Sequence, residues 1–281
     1  MKKLRYFIEA LLVRSLLFCF RHLSPDTASS IGGFLGRCLG TIMAASRKAR
    51  RNLTLSLPNK TEAEYDAIIS GMWENLGRVF SEYPHLETIS QTRVTIKGAE
   101  NLGNLSENTE PAIFFSAHLA NWEVSSPVVR TKGIDIDLIY RPPNNPWVDK
   151  VLQECRSMKG ILQTYPKSRT GMRQVMEALK SGRRIGILID QKYNQGVEVN
   201  FFGRPAMTSP AYIQLAQKFN CPLIPVRIQR TQGCHFVVEF LPPLDLKLDQ
   251  TTLLTQSHQI LESWIADQPS QWLWLHRRWK S

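Results

Sequence analysis

Between residues 94 and 244, short apolar runs alternate with stretches of helical periodicity, and this alternation leaves few architectures open. VTIKG (94–98), AIFFSAH (112–118), DIDLIYR (135–141), RIGILIDQ (184–191), CPLIPVRIQ (221–229) and HFVVEFLPPL (235–244) read as strands. Helical patterns fall between them, around WEVSSPVV and over 147–160, 171–182 and 210–219. Strands that alternate with helices of this length predict an α/β fold, a largely parallel central sheet flanked by helices. Chemistry on such sheets collects beyond the carboxyl ends of the strands. Upstream, Thr61 and Glu64 have capping-box spacing at the head of a helix that runs to Pro84. No internal repeat or low-complexity linker interrupts the chain.

The first sixty residues differ from the rest. They carry eleven Lys/Arg against Glu9 and Asp26, a balance of +9, and the last six residues add +3. Taking both from the total of +11 leaves 61–275 at about −1. A nucleic-acid binder carries its charge over the folded body; charge at the two ends suits an anionic membrane surface instead. MKKLRYFIEALLVRSLLFCFRHL resembles a signal peptide at first, but no small-x-small cleavage site follows neatly, and Glu9 and Arg14 interrupt the apolar core. As a helix, residues 4–20 would span about 25 Å, against a hydrocarbon layer of ~30 Å. The segment therefore reads as an uncleaved anchor, either short-spanning or lying in the interface, with Arg14 snorkelling or paired. Gly32, Gly36 and Gly40 follow at four-residue spacing, which fits either a membrane helix pair or a helix packed tightly on the body. The expected division is 1–60, a basic membrane-anchoring helical segment, and 61–281, the α/β domain.

Five scattered cysteines without a CxxC pair suggest neither a zinc site nor a disulfide framework. HExxH, GxSxG, GxGxxG and the Walker loop are also absent. Metalloprotease, serine-hydrolase and nucleotide-binding chemistries are thereby disfavoured, and neither metal nor cofactor is expected.

His118, Arg141 and Asp190 stand at the ends of three different predicted strands, and in a parallel sheet they converge on one edge. His118 with Glu123 supplies a general base and its orienting acid. A neutral imidazole can take a proton from a hydroxyl, and a carboxylate on the other ring nitrogen sets the tautomer. The strand-to-helix turn also offers the backbone N–H groups of Leu119 to Asn121 to an oxyanion. Asp190 is placed either to orient His118 or to tie down Arg141.

AHLANWE, YRPPNNP, IDQ (189–191), GVEVNFFGRPAMTSPA and PSQWLWLHRRWK together resemble the bacterial lipid A biosynthesis acyltransferases. These late lauroyl/myristoyl transferases fall within the wider glycerolipid acyltransferase superfamily. RKARRNL and MWENLGRVFSEY fit the same pattern, whereas the superfamily's Phe-Pro-Glu-Gly loop is missing. The resemblance implies that His118 is the catalytic base and Glu123 its motif acid. It implies that Arg141, Asp190 and Arg204 support the active site or bind substrate. It also implies transfer from an acyl carrier protein thioester, without an acyl-enzyme, to a hydroxyl of a lipid A precursor at the cytoplasmic face of the inner membrane. An acyl-CoA-dependent enzyme for a phosphatidylinositol mannoside or other glycolipid shares the histidine-acid motif. A non-catalytic lipid-binding protein of the same fold is the reading from another class. Phe201, Phe202 and Gly203 suit either an acyl-chain wall or ordinary core and turn. Trp272, Trp274 and Trp279 suit either a membrane interface or packing of a terminal strand.

Overall fold

The AIFFS run is buried at all five positions, as a strand must be when helices cover both faces of its sheet. The computed structural model describes residues 2–156 and 162–279. Its helices are α1 (Lys2–Arg21), α2 (Pro25–Gly40), α3 (Ala45–Ser56), α4 (Glu62–Glu82), α5 (Leu86–Thr92), α6 (Ser125–Thr131), α7 (Pro146–Arg156), α8 (Arg169–Lys180), α9 (Ala211–Phe219) and α10 (Gln250–Asp267). The strands are β1 (Val94–Lys97), β2 (Ala112–Ser116), β3 (Ile136–Tyr140), β4 (Thr164–Pro166), β5 (Arg184–Leu188), β6 (Val197–Phe201), β7 (Arg204–Thr208), β8 (Leu223–Gln232) and β9 (His235–Phe240).

Seven strands form one sheet in the order β1-β9-β8-β2-β5-β3-β4. Every neighbouring pair is parallel except β8–β9, which is an antiparallel hairpin. The α/β sheet is thus as expected from the alternation. The β6–β7 hairpin stands apart as a two-stranded sheet, and α10 and β4 are elements that the apolar runs did not disclose. The expected helix over 147–160 is α7; its last four positions lie outside the described residues.

Side chains alternate between two cores. Ile113, Phe115, Ile185 and Ile187 join α4, α8, α9 and α10 on one face. Phe114, Ile136, Ile224 and Val226 join α5 and α6 on the other. The N-terminal helices pack on this body. A Cβ on Gly32 or Gly36 would collide with the backbone of α4 at Gly77 or Trp73, so the glycine spacing serves the close approach of α2 to α4. α1 lies against α7, where Arg14 pairs with Glu154 at 2.8 Å and Asn145 bonds Glu9 and the Tyr6 carbonyl, both at 2.9 Å. The predicted capping box at Thr61 and Glu64 is present, with both reciprocal bonds made.

Trp272, Trp274 and Trp279 are buried in packed aromatic contacts, so these residues serve the core and not a membrane interface. Phe201 is also fully buried, among Trp272, Trp279 and His258.

Candidate active site

Three adjacent parallel strands, β2, β5 and β3, end on the same edge of the sheet, and the candidate residues follow from them. The chain leaves β2 through Ala117 and His118 and turns sharply, with Ala120 in the left-handed region at φ 48°. It leaves β5 through Ile189 to Asp190, and β3 directly at Arg141.

Asp190 is the partner of His118. Its Oδ1 lies 2.8 Å from His118 Nδ1, and its Oδ2 accepts the His118 backbone N–H at 3.0 Å. The Trp272 indole N–H donates to the same Oδ2 at 2.8 Å. Burial alone would raise this carboxyl. The His118 charge and hydrogen bond, then His276 and Trp272, outweigh burial and hold it well below the usual carboxylate range. An ionised Asp190 requires the proton on Nδ1, which leaves Nε2 as a bare acceptor.

Glu123 does something else. Its oxygens take two bonds from Arg156, at 2.7 and 2.6 Å, one from Tyr83 Oη at 2.7 Å and one from Trp122 Nε1 at 3.1 Å. The expectation that Glu123 holds the His118 ring assumed helical spacing between them. The left-handed Ala120 and the short 3-10 turn Trp122–Val124 break that spacing, and the carboxylate turns towards α7. Burial raises the Glu123 carboxyl, and the Arg156 guanidinium more than reverses this, so the group stays ionised. The link back to His118 runs through Trp122, whose ring packs against the imidazole at 5.1 Å between centroids.

Two of the three expected backbone oxyanion donors, Leu119 and Ala120, are already engaged. Leu119 N–H donates to Ala117 O at 2.7 Å and Ala120 N–H to Gln271 O at 2.9 Å. His118 N–H belongs to Asp190. Residues 271–273 pair with the turn at the Leu119–Trp272 bridge, where Gln271 O takes the Ala120 N–H and Leu273 N–H donates to His118 O at 3.2 Å. The side chains at the mouth are Arg141, Lys167 and Gln191.

Gln191 and His276 were not anticipated. Gln191 Nε2 lies 3.4 Å from Nε2 of both His118 and His276, and the two imidazole rings are 4.8 Å apart. Desolvation, then proximity to His118, lowers His276 to about 4, so it is neutral near pH 7. Asn52 of α3 binds the carbonyls of Trp274 and His276, at 2.8 and 2.7 Å, and fixes this segment. His118, Asp190 and His276 place their ligand atoms within 4.8 Å of one another, a set of three donors able to hold a cation. The direct 2.8 Å contact between Nδ1 and Asp190 uses two of those donors on each other.

His118 opens onto a cavity of about 280 Å³. Its floor is the sheet face that carries Phe114, Gly186, Leu138 and Val226, and its far wall includes Val129 of α6 and Leu152 of α7. Gly186 is what leaves room: a Cβ there would meet Leu138 Cδ2 at 2.7 Å and Ile136 Cδ1 at 3.2 Å. Arg141 lines this cavity with His118, and Asp190 sits behind the imidazole, 1% exposed. No Arg141–Asp190 ion pair occurs among the described residues. Arg204 is elsewhere, on the β6–β7 hairpin, with its guanidinium 4.7 Å from the Trp279 ring centroid.

Comparison with known proteins gives one consistent result. The chain is 28% identical over 244 residues to a lipid A biosynthesis acyltransferase of Haemophilus influenzae, covering 83% of this chain and 76% of the relative. It is 26% identical over 266 residues to the lipid A biosynthesis myristoyltransferase of Escherichia coli, covering 89% and 80%. For the E. coli lauroyltransferase the figures are 26% over 271 residues, covering 88% and 84%. The family described as bacterial lipid A biosynthesis acyltransferase matches residues 1–281, and this chain, an O-acyltransferase, belongs to that family.

Proposed function

We propose that the protein transfers a fatty acyl chain from an acyl carrier protein thioester to a hydroxyl of a lipid A precursor, with His118 as general base. The observation that carries this reading is the His118–Asp190 pair, with a bare Nε2 at the mouth of an apolar slot. Nε2 takes the proton of the acceptor hydroxyl as its oxygen attacks the thioester carbonyl. The tetrahedral oxyanion is met by Arg141, Lys167 and the Gln191 amide. The C–S bond then breaks, and the imidazolium returns the proton to the departing sulfur, giving an ester and a free thiol without an acyl-enzyme. Gln191 occupies Nε2 at rest and gives way to the hydroxyl. The slot takes the acyl chain, with each buried methylene contributing about 0.8 kcal/mol. Glu123 supports the site through Trp122, and Arg204 supports the hairpin.

The protein works at the cytoplasmic face of the inner membrane. No helix among the described residues is long and apolar enough to cross a membrane. Yet Leu4 (64% exposed), Leu12 (59%) and Phe18 (63%) on α1, and Phe34 (61%) and Leu39 (58%) on α2, meet solvent. Lys2, Lys3 and Arg5 on α1 add cations. This pattern suits in-plane insertion into an anionic surface. High salt should leave the protein on membranes, and Leu12→Asp with Phe34→Asp should release it; a double variant that stays bound would remove in-plane insertion.

Mass spectrometry of lipid A from cells with and without the gene tests the reaction. A difference of one acyl group supports it, and identical spectra sink it.

A further inference from the structure

A second cavity, about 860 Å³, lies on the opposite face of the sheet from the acyl slot. Its walls come from α8, α9 and the 191–195 loop, and it shares Arg141, Lys167 and Gln191 with the slot. The two cavities therefore meet at Arg141, Lys167 and Gln191, beside the His118 that lines the slot.

Its charge is one-sided. Arg141, Lys167, Arg169, Arg173 and Lys192 line it, and no Asp or Glu does. None of the five is ion-paired among the described residues. Arg169 and Arg173 are one turn apart at the start of α8, so they share a face. That end of a helix favours acids, because its unpaired N–H groups carry partial positive charge; here the first turn holds no acid at all. The two guanidiniums reinforce the helix field instead of cancelling it, and a bound anion relieves both. At the mouth, desolvation lowers the Lys167 pKa, with the Asp190 charge pulling it back up and the Arg141 charge adding to the lowering. Below the charged rim the lining turns apolar at Met172, Met176, Ile189 and Leu215.

We propose that this cavity is the subsite for the phosphorylated headgroup of the lipid acceptor, its phosphate gripped by Arg169, Arg173 and Lys192. This rests on the acyl-transfer reading above. Guanidiniums meet phosphate oxygens in paired, charge-assisted bonds, and the Met-lined floor adapts to a hydrocarbon chain attached to the headgroup. A molecule anchored there reaches His118 past Arg141, Lys167 and Gln191, while the donor chain fills the slot on the other face. An acidic carrier protein would call for a convex cationic surface, whereas these cations line a concavity.

The test uses full-length protein in detergent micelles with Arg169→Gln/Arg173→Gln. Substrates are the phosphorylated lipid A precursor, its phosphatase-treated counterpart and an acyl carrier protein thioester. Lys97→Gln, on β1 at the far edge of the sheet, is the charge control. The double variant should raise KM for the phosphorylated acceptor by at least about tenfold. Its donor KM should be unchanged, and it should match wild type on the dephosphorylated acceptor. An unchanged acceptor KM, or a rise confined to the donor KM, overturns the proposal. If wild type acylates neither acceptor, the acyl-transfer reading fails. The site is then judged by tryptophan fluorescence titration with the phosphorylated precursor, where weaker binding by the variant keeps it and equal binding removes it.

Discussion

Asp190 grips His118 twice, through the ring Nδ1 and through the backbone N–H of the same residue. One carboxylate thus fixes both the tautomer of the imidazole and the path of the chain that carries it. Trp272 completes the carboxylate's hydrogen bonding from a segment far along the chain.

Asp190→Asn should therefore lower kcat by more than about 10²-fold with the fold retained. An amide N–H facing Nδ1 would favour the tautomer with its proton on Nε2, where the base must be bare. His118→Ala should lose at least as much. Steady-state kinetics beside circular dichroism check this, and a folded Asp190→Asn enzyme of near-normal kcat would remove the pair from the mechanism.

Glu123 and Arg156 should behave as a stability unit. Their side chains are 6% and 13% exposed, and breaking a buried pair from one side costs about 3–5 kcal/mol. Arg156→Ala and Glu123→Ala should each lower the thermal midpoint sharply, and Glu123→Leu/Arg156→Met should recover much of the loss. Single variants that melt like wild type would contradict the assignment.

Gly186→Ala should alter chain selection. The added methyl meets Leu138 Cδ2 at 2.7 Å, so the slot narrows halfway along its floor. The ratio of kcat/KM for a short donor over a long one should rise by about tenfold, the scale of a single methylene in a tight apolar site. Equal losses on both donors would show that the slot does not hold the chain.

His258 should make the fold acid-sensitive. Its Nδ1 donates to the Asn200 carbonyl at 2.8 Å, and its Nε2 faces Arg278 and Thr208 at 3.0 and 3.1 Å. Burial, then the Arg278 charge, lowers its pKa from 6.5 to about 4. Between those values the unfolded chain binds a proton that the native state refuses, so stability falls as pH drops through this window. It is unaffected by this group above the window. The loss is on the order of 2–3 kcal/mol. Denaturant melts at several pH values should show His258→Gln with a flatter slope from pH 6.5 to 4.

The legible parts of the chain were those governed by local pattern. The apolar runs at 112–116 and 184–188, the box at Thr61 and Glu64, and the carboxyl-end positions of His118, Arg141 and Asp190 all follow from periodicity and parallel topology. Partnership did not follow. Glu123 is five residues from His118 but is held by Arg156, while Asp190 is 72 residues away and makes the bond. The left-handed backbone at Ala120 decides this, and no residue type there announces it. Gln191, His276 and Tyr83 enter through tertiary contacts to which spacing is blind. The tryptophans near the chain's end carry the composition of an interface, yet they fill the space under the β6–β7 hairpin.

The pairing of residues 271–274 with the turn after His118 also bears on when the protein becomes active. Synthesis runs from the N-terminus, and early segments fold first. α1 and α2, with their exposed apolar side chains, emerge long before Trp272 and His276. A nascent chain thus presents these apolar side chains while Asp190 still lacks its indole donor and the turn at Leu119 still lacks its strand partner. The candidate site is therefore the last part of the chain to be completed.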